Sequence, residues 1–216
     1  MNHLWTIIFG ERTPTVEYCE KAVDGLIARP GYFISNIPYI LLGIFLLTKK
    51  DKLAKIFGSI SILIGVFSGI YDASFKFNAQ ILDLMAMFTL INFLFIFNLY
   101  KLKVIDQNLS IILAVIFQIV YFVGILYFEG SSGRILFGIF VLFVIGSEYL
   151  IHKRKLIESH IYFLIALATF LIGFLIWTFD ASQTICSPIE WLNGRAIYHY
   201  ITTVTIYYIY LHNKKK

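Results

Sequence analysis

Residues 160–179 read HIYFLIALATFLIGFLIWTF, a stretch with no Asp, Glu, Lys or Arg. A helix that crosses a membrane needs about 20 mostly apolar residues, and this stretch has that length. Its apolar positions are nearly continuous instead of forming a stripe, which is typical of a helix that is apolar on all sides. The stretch therefore predicts a membrane helix.

Six further stretches have the same character. In the whole chain 59% of the residues are hydrophobic and only 14% are charged, about half the charged share of a soluble domain. The seven predicted spans are 32–48, 56–75, 79–100, 110–128, 133–151, 160–179 and 196–212. We predict an all-α fold, a single seven-transmembrane-helix bundle over residues 1–216, with an extramembrane N-terminal segment (1–31) and a basic cytoplasmic tail (213–216).

The distribution of charge predicts how this bundle is oriented. Lys and Arg in short loops mark the cytoplasmic side of a membrane. With the N-terminus outside, 12 of the 18 Lys and Arg residues lie in inner loops or in the C-terminal tail, and 9 of the 13 acids lie outside. The net charge of +5 then reflects topology. Nucleic-acid binding is excluded, because it would need basic residues clustered on a soluble face.

Several polar side chains fall near the predicted outer ends of the spans: Ser68, Asp72, Asp83, Asp180, Arg195 and His199. The first two are four residues apart, and so are the last two, so each pair shares one helical face. Ionisable groups inside a membrane cost about 2.5–3.5 kcal/mol each on insertion scales and are usually functional or paired. We expect these side chains to converge on one extracytoplasmic site.

At these positions the sequence resembles the alkaline ceramidase family of seven-helix membrane hydrolases. Ser68, Asp72 and Asp83 stand at the spacing of the family's Ser, His and Asp. Residues 195–199, which read RAIYH, occupy the place of the family motif His-Ala-x-Trp-His.

Three more motifs follow the same order along the chain. Trp177, Asp180 and Cys186 resemble the family's Trp-x-x-Asp followed by Cys. Residues 17–20, which read EYCE, resemble its Asp-Trp-Cys-Glu, and residues 35–36 match a Ser-Asn pair. The resemblance thus covers most of the chain.

The resemblance implies an enzyme that cleaves the amide bond of ceramide. In the family three His hold a catalytic zinc, a Ser and an Asp assist the metal-bound water, and an N-terminal acidic cluster binds calcium. Here Asp72 and Arg195 replace two of the three zinc histidines, and only His199 remains. The possible calcium ligands Glu17 and Glu20 are retained, while Arg29 stands where a further acid is expected.

Two interpretations of this departure stay open. Asp72 and Arg195 can form a charge-neutral and bidentate ion pair in place of the zinc. Alternatively Asp72 and His199, with Asp83 or Asp180, form an oxygen-rich zinc site, since carboxylates ligate zinc.

The candidate catalytic residues are the same under both interpretations: Ser68, Asp72, Asp83, Arg195 and His199. The expected function is a ceramidase-like hydrolase of ceramide or a related N-acyl lipid, with a role in sphingolipid metabolism. The alternative is a catalytically inactive relative that binds such a lipid.

The two cysteines, Cys19 and Cys186, both lie on the predicted outer side. An oxidising compartment favours a disulfide between them. Two separate thiols are the alternative.

Overall fold

The chain folds into helices joined by loops, the longest of which is the irregular segment 10–29 between the first two helices. The computed structural model describes residues 3–127, 132–157, 159–187 and 189–214, and within these ranges it contains no strand. The α-helices in these ranges are α1 (His3–Phe9), α2 (Pro30–Ser35), α3 (Ile37–Leu47), α4 (Lys52–Ser74), α5 (Phe77–Lys101), α6 (Gln107–Tyr127), α7 (Ser132–Lys153), α8 (Ile161–Ala181) and α9 (Gly194–Lys214). The prediction of an all-α class is confirmed.

Six segments of the described chain are long and apolar enough to cross a membrane. They are Pro30–Leu47, Lys52–Ser74, Phe77–Lys101, Gln107–Tyr127, Ile135–Lys153 and Ile161–Ala181. The chain is therefore a multi-pass membrane protein by length and composition. The predicted span 196–212 coincides with α9, which is not among these six, because polar residues such as Arg195, His199 and His212 lower its hydropathy. A seventh span and the orientation of the termini stay predictions.

Several helices extend beyond the predicted apolar stretches, because their end turns carry polar residues. The fourth helix begins at Lys52, where the Asp51 side chain accepts a hydrogen bond from the Ala54 N–H at 2.7 Å and so caps the helix. It ends at Ser74, since Phe75 takes a left-handed conformation with φ of 49°. The predicted end at residue 128 and the tail residues 215–216 lie outside the described residues.

The first predicted span is divided into α2 and α3 at Asn36. Pro38 lies in the first turn of α3, and its ring removes an N–H and disfavours a helix that runs on through it. The break places Ser35 and Asn36, both buried, at the junction. One further helix, α1, forms within the N-terminal segment predicted to lie outside the membrane.

The chain divides into two compact units. Unit 1 contains Met1–Asp83 and Ile161–Lys216, and unit 2 contains Leu84–His160. In unit 1, α3 and α4 pack closely where two glycines meet: a Cβ on Gly58 would lie 2.8 Å from the Gly43 carbonyl oxygen. Small residues at such a contact let membrane helices approach. Every residue of the site described next belongs to unit 1.

Candidate functional site

The centre of the site is the guanidinium group of Arg195, in the first turn of α9. Its Nε donates to Asp72 Oδ1 at 3.2 Å and its Nη2 to Asp83 Oδ2 at 3.2 Å. All three side chains are buried, with 4%, 0% and 3% of Arg195, Asp72 and Asp83 exposed. The structure therefore brings together an acid from α4, an acid from α5 and a base from α9.

Two hydroxyl groups complete the surroundings of Arg195. Its Nη2 lies 3.3 Å from Ser68 Oγ, one turn before Asp72 on α4, and its Nη1 lies 3.2 Å from the Tyr18 hydroxyl. Burial raises the pKa of Tyr18, against the opposing effect of the two nearby arginines, Arg195 and Arg29. Tyr18 is therefore neutral at physiological pH, and its hydroxyl oxygen accepts the guanidinium hydrogen bond.

A second buried arginine reaches the same carboxylate. Arg29 Nη2 donates to Asp72 Oδ1 at 3.0 Å, and the Arg29 backbone N–H donates to the Asp72 carbonyl oxygen at 3.1 Å. Arg29 has no exposed surface, although it precedes α2 in an irregular segment. From the sequence, Arg29 is notable only because it stands where a further calcium-binding acid is expected. Its position directly before an apolar span does not show the direction of its side chain, so the sequence did not assign it to the site.

Asn36 is the third residue that donates to the Asp72 carboxylate. Asn36 Nδ2 donates to Asp72 Oδ2 at 3.0 Å, beside the Arg195 Nη2 contact with the same oxygen at 3.4 Å. The division of the first span at Asn36 therefore has a direct effect on the site, because it turns this amide towards α4. The sequence indicated Asn36 only as part of a short motif.

His199 lies one turn after Arg195 on α9 and contacts a different group. Its Nδ1 lies 2.7 Å from Ser35 Oγ, and this hydroxyl donates to the Tyr32 carbonyl oxygen, also at 2.7 Å. The donor in this contact depends on the histidine tautomer. With the serine proton used on the carbonyl, Nδ1 is the donor, and in the neutral ring Nε2 is then the acceptor nitrogen.

Asp180 contacts the backbone N–H of Arg195 and not its guanidinium group. It accepts hydrogen bonds from the Arg195 N–H at 2.6 Å, from the Cys19 N–H at 2.8 Å and from the Tyr32 hydroxyl at 2.8 Å. Gly194 allows this approach, since a Cβ there would lie 2.9 Å from the Asp180 Cβ. The carboxylate thus fixes the start of α9 and, through it, Arg195.

The two N-terminal acids have different surroundings. The Glu20 carboxylate is buried and accepts the backbone N–H groups of Gly31 and Tyr32, each at 2.7 Å. Glu17 is largely exposed and lies 3.8 Å from Lys21 Nζ. Glu20 thus holds the first turn of α2, whereas Glu17 lies at the surface.

Cys19 and Cys186 form a disulfide with a Cα–Cα distance of 5.4 Å. It joins the N-terminal segment to the loop between α8 and α9. Asp180 also contacts the Cys19 backbone N–H, so the covalent bond and the hydrogen bond hold the same two segments together.

A comparison with known protein families identifies the family. The family model described as Ceramidase matches residues 10–214, nearly the whole chain. The chain belongs to the ceramidase family. This confirms the resemblance drawn from the sequence, and it supports a ceramidase-like hydrolase fold in the membrane. A search of curated proteins finds no match to the chain.

Members of the ceramidase family are typically metal-dependent, but the residues at this site do not fit a zinc ion. A catalytic zinc needs three protein ligands and an open position. A protonated guanidinium has no lone pair to give, and Arg195 lies directly on Asp72. His199 is then the one imidazole at the three expected ligand positions.

Glu17 and Glu20 do not fit a calcium ion any better. Calcium takes 6–8 oxygen ligands. Two of roughly four acceptor sites of the Glu20 carboxylate are used by backbone N–H groups, and Glu17 lies apart from it, against Lys21 at the surface. Among the described residues these two acids form no shared group of oxygen ligands.

Proposed function

We propose that the chain is a membrane hydrolase that cleaves the amide bond of ceramide or of a related N-acyl lipid. The observation that carries this proposal is the arrangement of His199. Its ring is held by Ser35 through Nδ1, and in the neutral tautomer that donates from Nδ1 the Nε2 atom is a proton acceptor. A histidine positioned in this way can act as a general base. The family match and the membrane location support a lipid amide as the substrate.

The remaining groups of the site supply the other parts of an amide hydrolysis. His199 Nε2 takes a proton from water while the water oxygen attacks the carbonyl carbon. Arg195 has five N–H groups, and one on Nη1 is not used by the described contacts, so it can stabilise the developing oxyanion. The C–N bond then breaks, and the amine leaves with a proton, giving a fatty acid and a long-chain amine.

Asp83 is suited to the final proton transfer. Its Oδ2 accepts from Arg195, whereas its buried Oδ1 has no hydrogen-bond partner in the described residues. In its ionised form this oxygen can accept the proton that His199 took from water and pass it to the leaving amine.

Labelled ceramides and other N-acyl lipids test this proposal with the purified protein. We expect the wild-type chain to release fatty acid in buffer treated with a chelator, and His199→Ala and Asp83→Asn to lose this activity. Lys21→Gln, an exposed change, serves as the matched control. If release persists in His199→Ala, the assignment of the general base is wrong.

A second candidate is favoured by one specific contact. Asp72 and Arg195 form an ion pair at the position where the family holds its zinc, so the chain is then an inactive relative that binds an N-acyl lipid without cleaving it. Co-purification of intact lipid, with no fatty acid released by the wild-type chain, would decide for this candidate over the hydrolase.

We also propose that the site faces the extracytoplasmic side of a single seven-helix domain. The charge distribution supports this orientation. A membrane-impermeant maleimide applied to intact cells should label Lys21→Cys, before α2, but not Lys103→Cys, after α5. Labelling of Lys103→Cys alone would show that the orientation is the opposite of the one proposed.

A further inference from the structure

Four buried side chains form one network of ion pairs at the site: Arg29, Asp72, Asp83 and Arg195. Within this network the two cations balance the two anions, while the buried carboxylates of Asp180 and Glu20 are held by backbone N–H groups. Each carboxylate of the network has a guanidinium partner, at 3.0–3.2 Å for Asp72 and at 3.2 Å for Asp83. A buried charge is tolerated when it is paired and hydrogen-bonded. The group therefore reaches neutrality through the protein's own residues.

Four donor atoms surround the carboxylate of Asp72. Its Oδ1 accepts from Arg29 Nη2 and from Arg195 Nε, and its Oδ2 accepts from Asn36 Nδ2. Arg195 Nη2 also approaches Oδ2 at 3.4 Å, but its two hydrogens are shared with Asp83 and Ser68. A metal ion that bound Asp72 would therefore have to compete with these donors.

Arg29 is held in its place by backbone and by aromatic contacts. The neighbouring Ala28 N–H donates to the Ala73 carbonyl at 2.9 Å, which fixes the segment against the end of α4. The guanidinium carbon lies 4.4 Å from the centroid of the Phe75 ring and 4.8 Å from that of Tyr71. A cation over an aromatic face is stabilised electrostatically, so Arg29 is a fixed positive charge inside the protein.

We infer that Arg29 and Arg195 together act as permanent cations of this site, so that the chain forms and keeps it without a divalent metal ion. Arg29 is a positioning residue, because it acts through Asp72. This inference goes beyond the proposed function, since it concerns the charge that holds the site. Whether the site forms without metal is tested independently of whether the chain cleaves a lipid.

Metal content and thermal unfolding test the inference directly. The wild-type chain and Asp72→Asn, both purified after growth with added zinc and calcium, should contain the same amount of each ion. A chelator should change the unfolding temperature of the two chains by the same amount, because an ion bound at this site would raise that temperature in the wild-type chain only. Metal that is present in the wild-type chain and lost in Asp72→Asn, or a chelator effect confined to the wild-type chain, would overturn the inference.

Charge-matched variants test the contribution of Arg29. Arg29→Gln leaves Asp72 with one cation and should lower the unfolding temperature by about 10 °C, from the cost of breaking a buried pair. Arg29→Lys keeps the charge and should restore part of the loss. Arg29→Gln combined with Asp72→Asn leaves Asp83 paired with Arg195, so it should be more stable than Arg29→Gln alone.

Lys21→Gln, which removes an exposed cation, is the control for the loss of a positive charge. An Arg29→Gln chain as stable as this control, or a double variant less stable than Arg29→Gln, would show that Arg29 does not balance the site. If Arg29→Gln alone gives no folded protein, recovery of folding in the double variant makes the same distinction.

Discussion

The two units of the chain bury different kinds of side chain. Unit 1 encloses a network of arginines and carboxylates around Asp72. Unit 2 is packed largely by aromatic rings: Phe88 stacks on Tyr121 with centroids 3.9 Å apart, and Phe140 contacts Phe95 and Phe117 at 6.1 and 5.3 Å. Such rings need no polar partner, whereas each ion in unit 1 depends on another residue.

Unit 2 buries the acid Glu148, which lies 4.0 Å from His160 Nδ1, but other polar contacts within it are neutral. Asn98 Nδ2 donates to Ser147 Oγ at 3.0 Å, and Asn92 Nδ2 donates to the Ala114 carbonyl at 2.8 Å. Removal of a neutral partner leaves an unpaired amide, but removal of a charged partner leaves an unpaired ion, which costs far more. A substitution in the ion network of unit 1 should therefore cost more stability than the loss of a neutral polar contact in unit 2.

The largest effect is expected from the central ion pair of unit 1. Asp72→Ala and Arg195→Ala should each lower the free energy of unfolding by about 3–5 kcal/mol, since each leaves a buried charge without its partner. The double variant should lose clearly less than the sum of the two. Chemical unfolding in detergent measures all three variants, and strict additivity would mean that the two side chains are not coupled.

The disulfide should have the next largest effect. Loss of the bond between Cys19 and Cys186 should cost about 2–4 kcal/mol, because the cross-link closes a long loop. Cys19→Ser, Cys186→Ser and the double variant should be equally destabilised, since each removes the same bond. Thermal unfolding measures this, and a mobility change on reduction, seen for the wild-type chain only, shows the bond itself. Additive losses from the single variants would contradict it.

A partly exposed acid of unit 1, Asp51, should have a smaller effect than the buried Asp72. Asp51→Ala should cost about 1 kcal/mol, because it removes the cap of α4. Asp51→Asn, which still caps, should cost less. The Ala54 N–H hydrogen bond lowers the pKa of Asp51.

The lowered pKa of Asp51 also sets the direction of its pH dependence. Its stabilising contribution should be full above the unfolded pKa of about 4 and should fall as the pH drops through the lower folded value. Unfolding of the wild-type chain and of Asp51→Asn between neutral and acidic pH checks this. A difference between them that grows as the pH falls would contradict the sign.

The smallest effect is expected in unit 2. Asn98→Leu should change the free energy of unfolding by only about 0.6 kcal/mol, the average for a hydrogen bond between membrane helices. Unfolding in detergent compares it directly with Asp72→Ala. An equally large loss in the two variants would remove the distinction between the units.

Much of the fold could be predicted from local sequence. The helices follow from apolar stretches that can satisfy their backbone groups in lipid only as helices. The helix ends were less predictable, because turns such as the one capped by Asp51 continue into polar sequence. Pro38 indicated the break at Asn36, but hydropathy is continuous across this region, so α2 and α3 were predicted as one span.

The site was predictable only where its residues lie on helices. The spacing of Ser68 and Asp72, and of Arg195 and His199, placed each pair on one face, and the structure brings Ser68, Asp72 and Arg195 into contact. Arg29 was not assigned to the site, because its side chain leaves an irregular segment that no periodicity describes.

An apolar, helical chain of the ceramidase family, with arginine and aspartate where zinc ligands are expected, follows from composition and residue order alone, which are local properties. The pairing of the few buried charges does not. In the folded chain Asp180 accepts from the backbone of Arg195, His199 contacts Ser35 and Arg29 donates to Asp72. A buried ion needs a partner that is near in space, and this can be any residue whose backbone is folded to reach it.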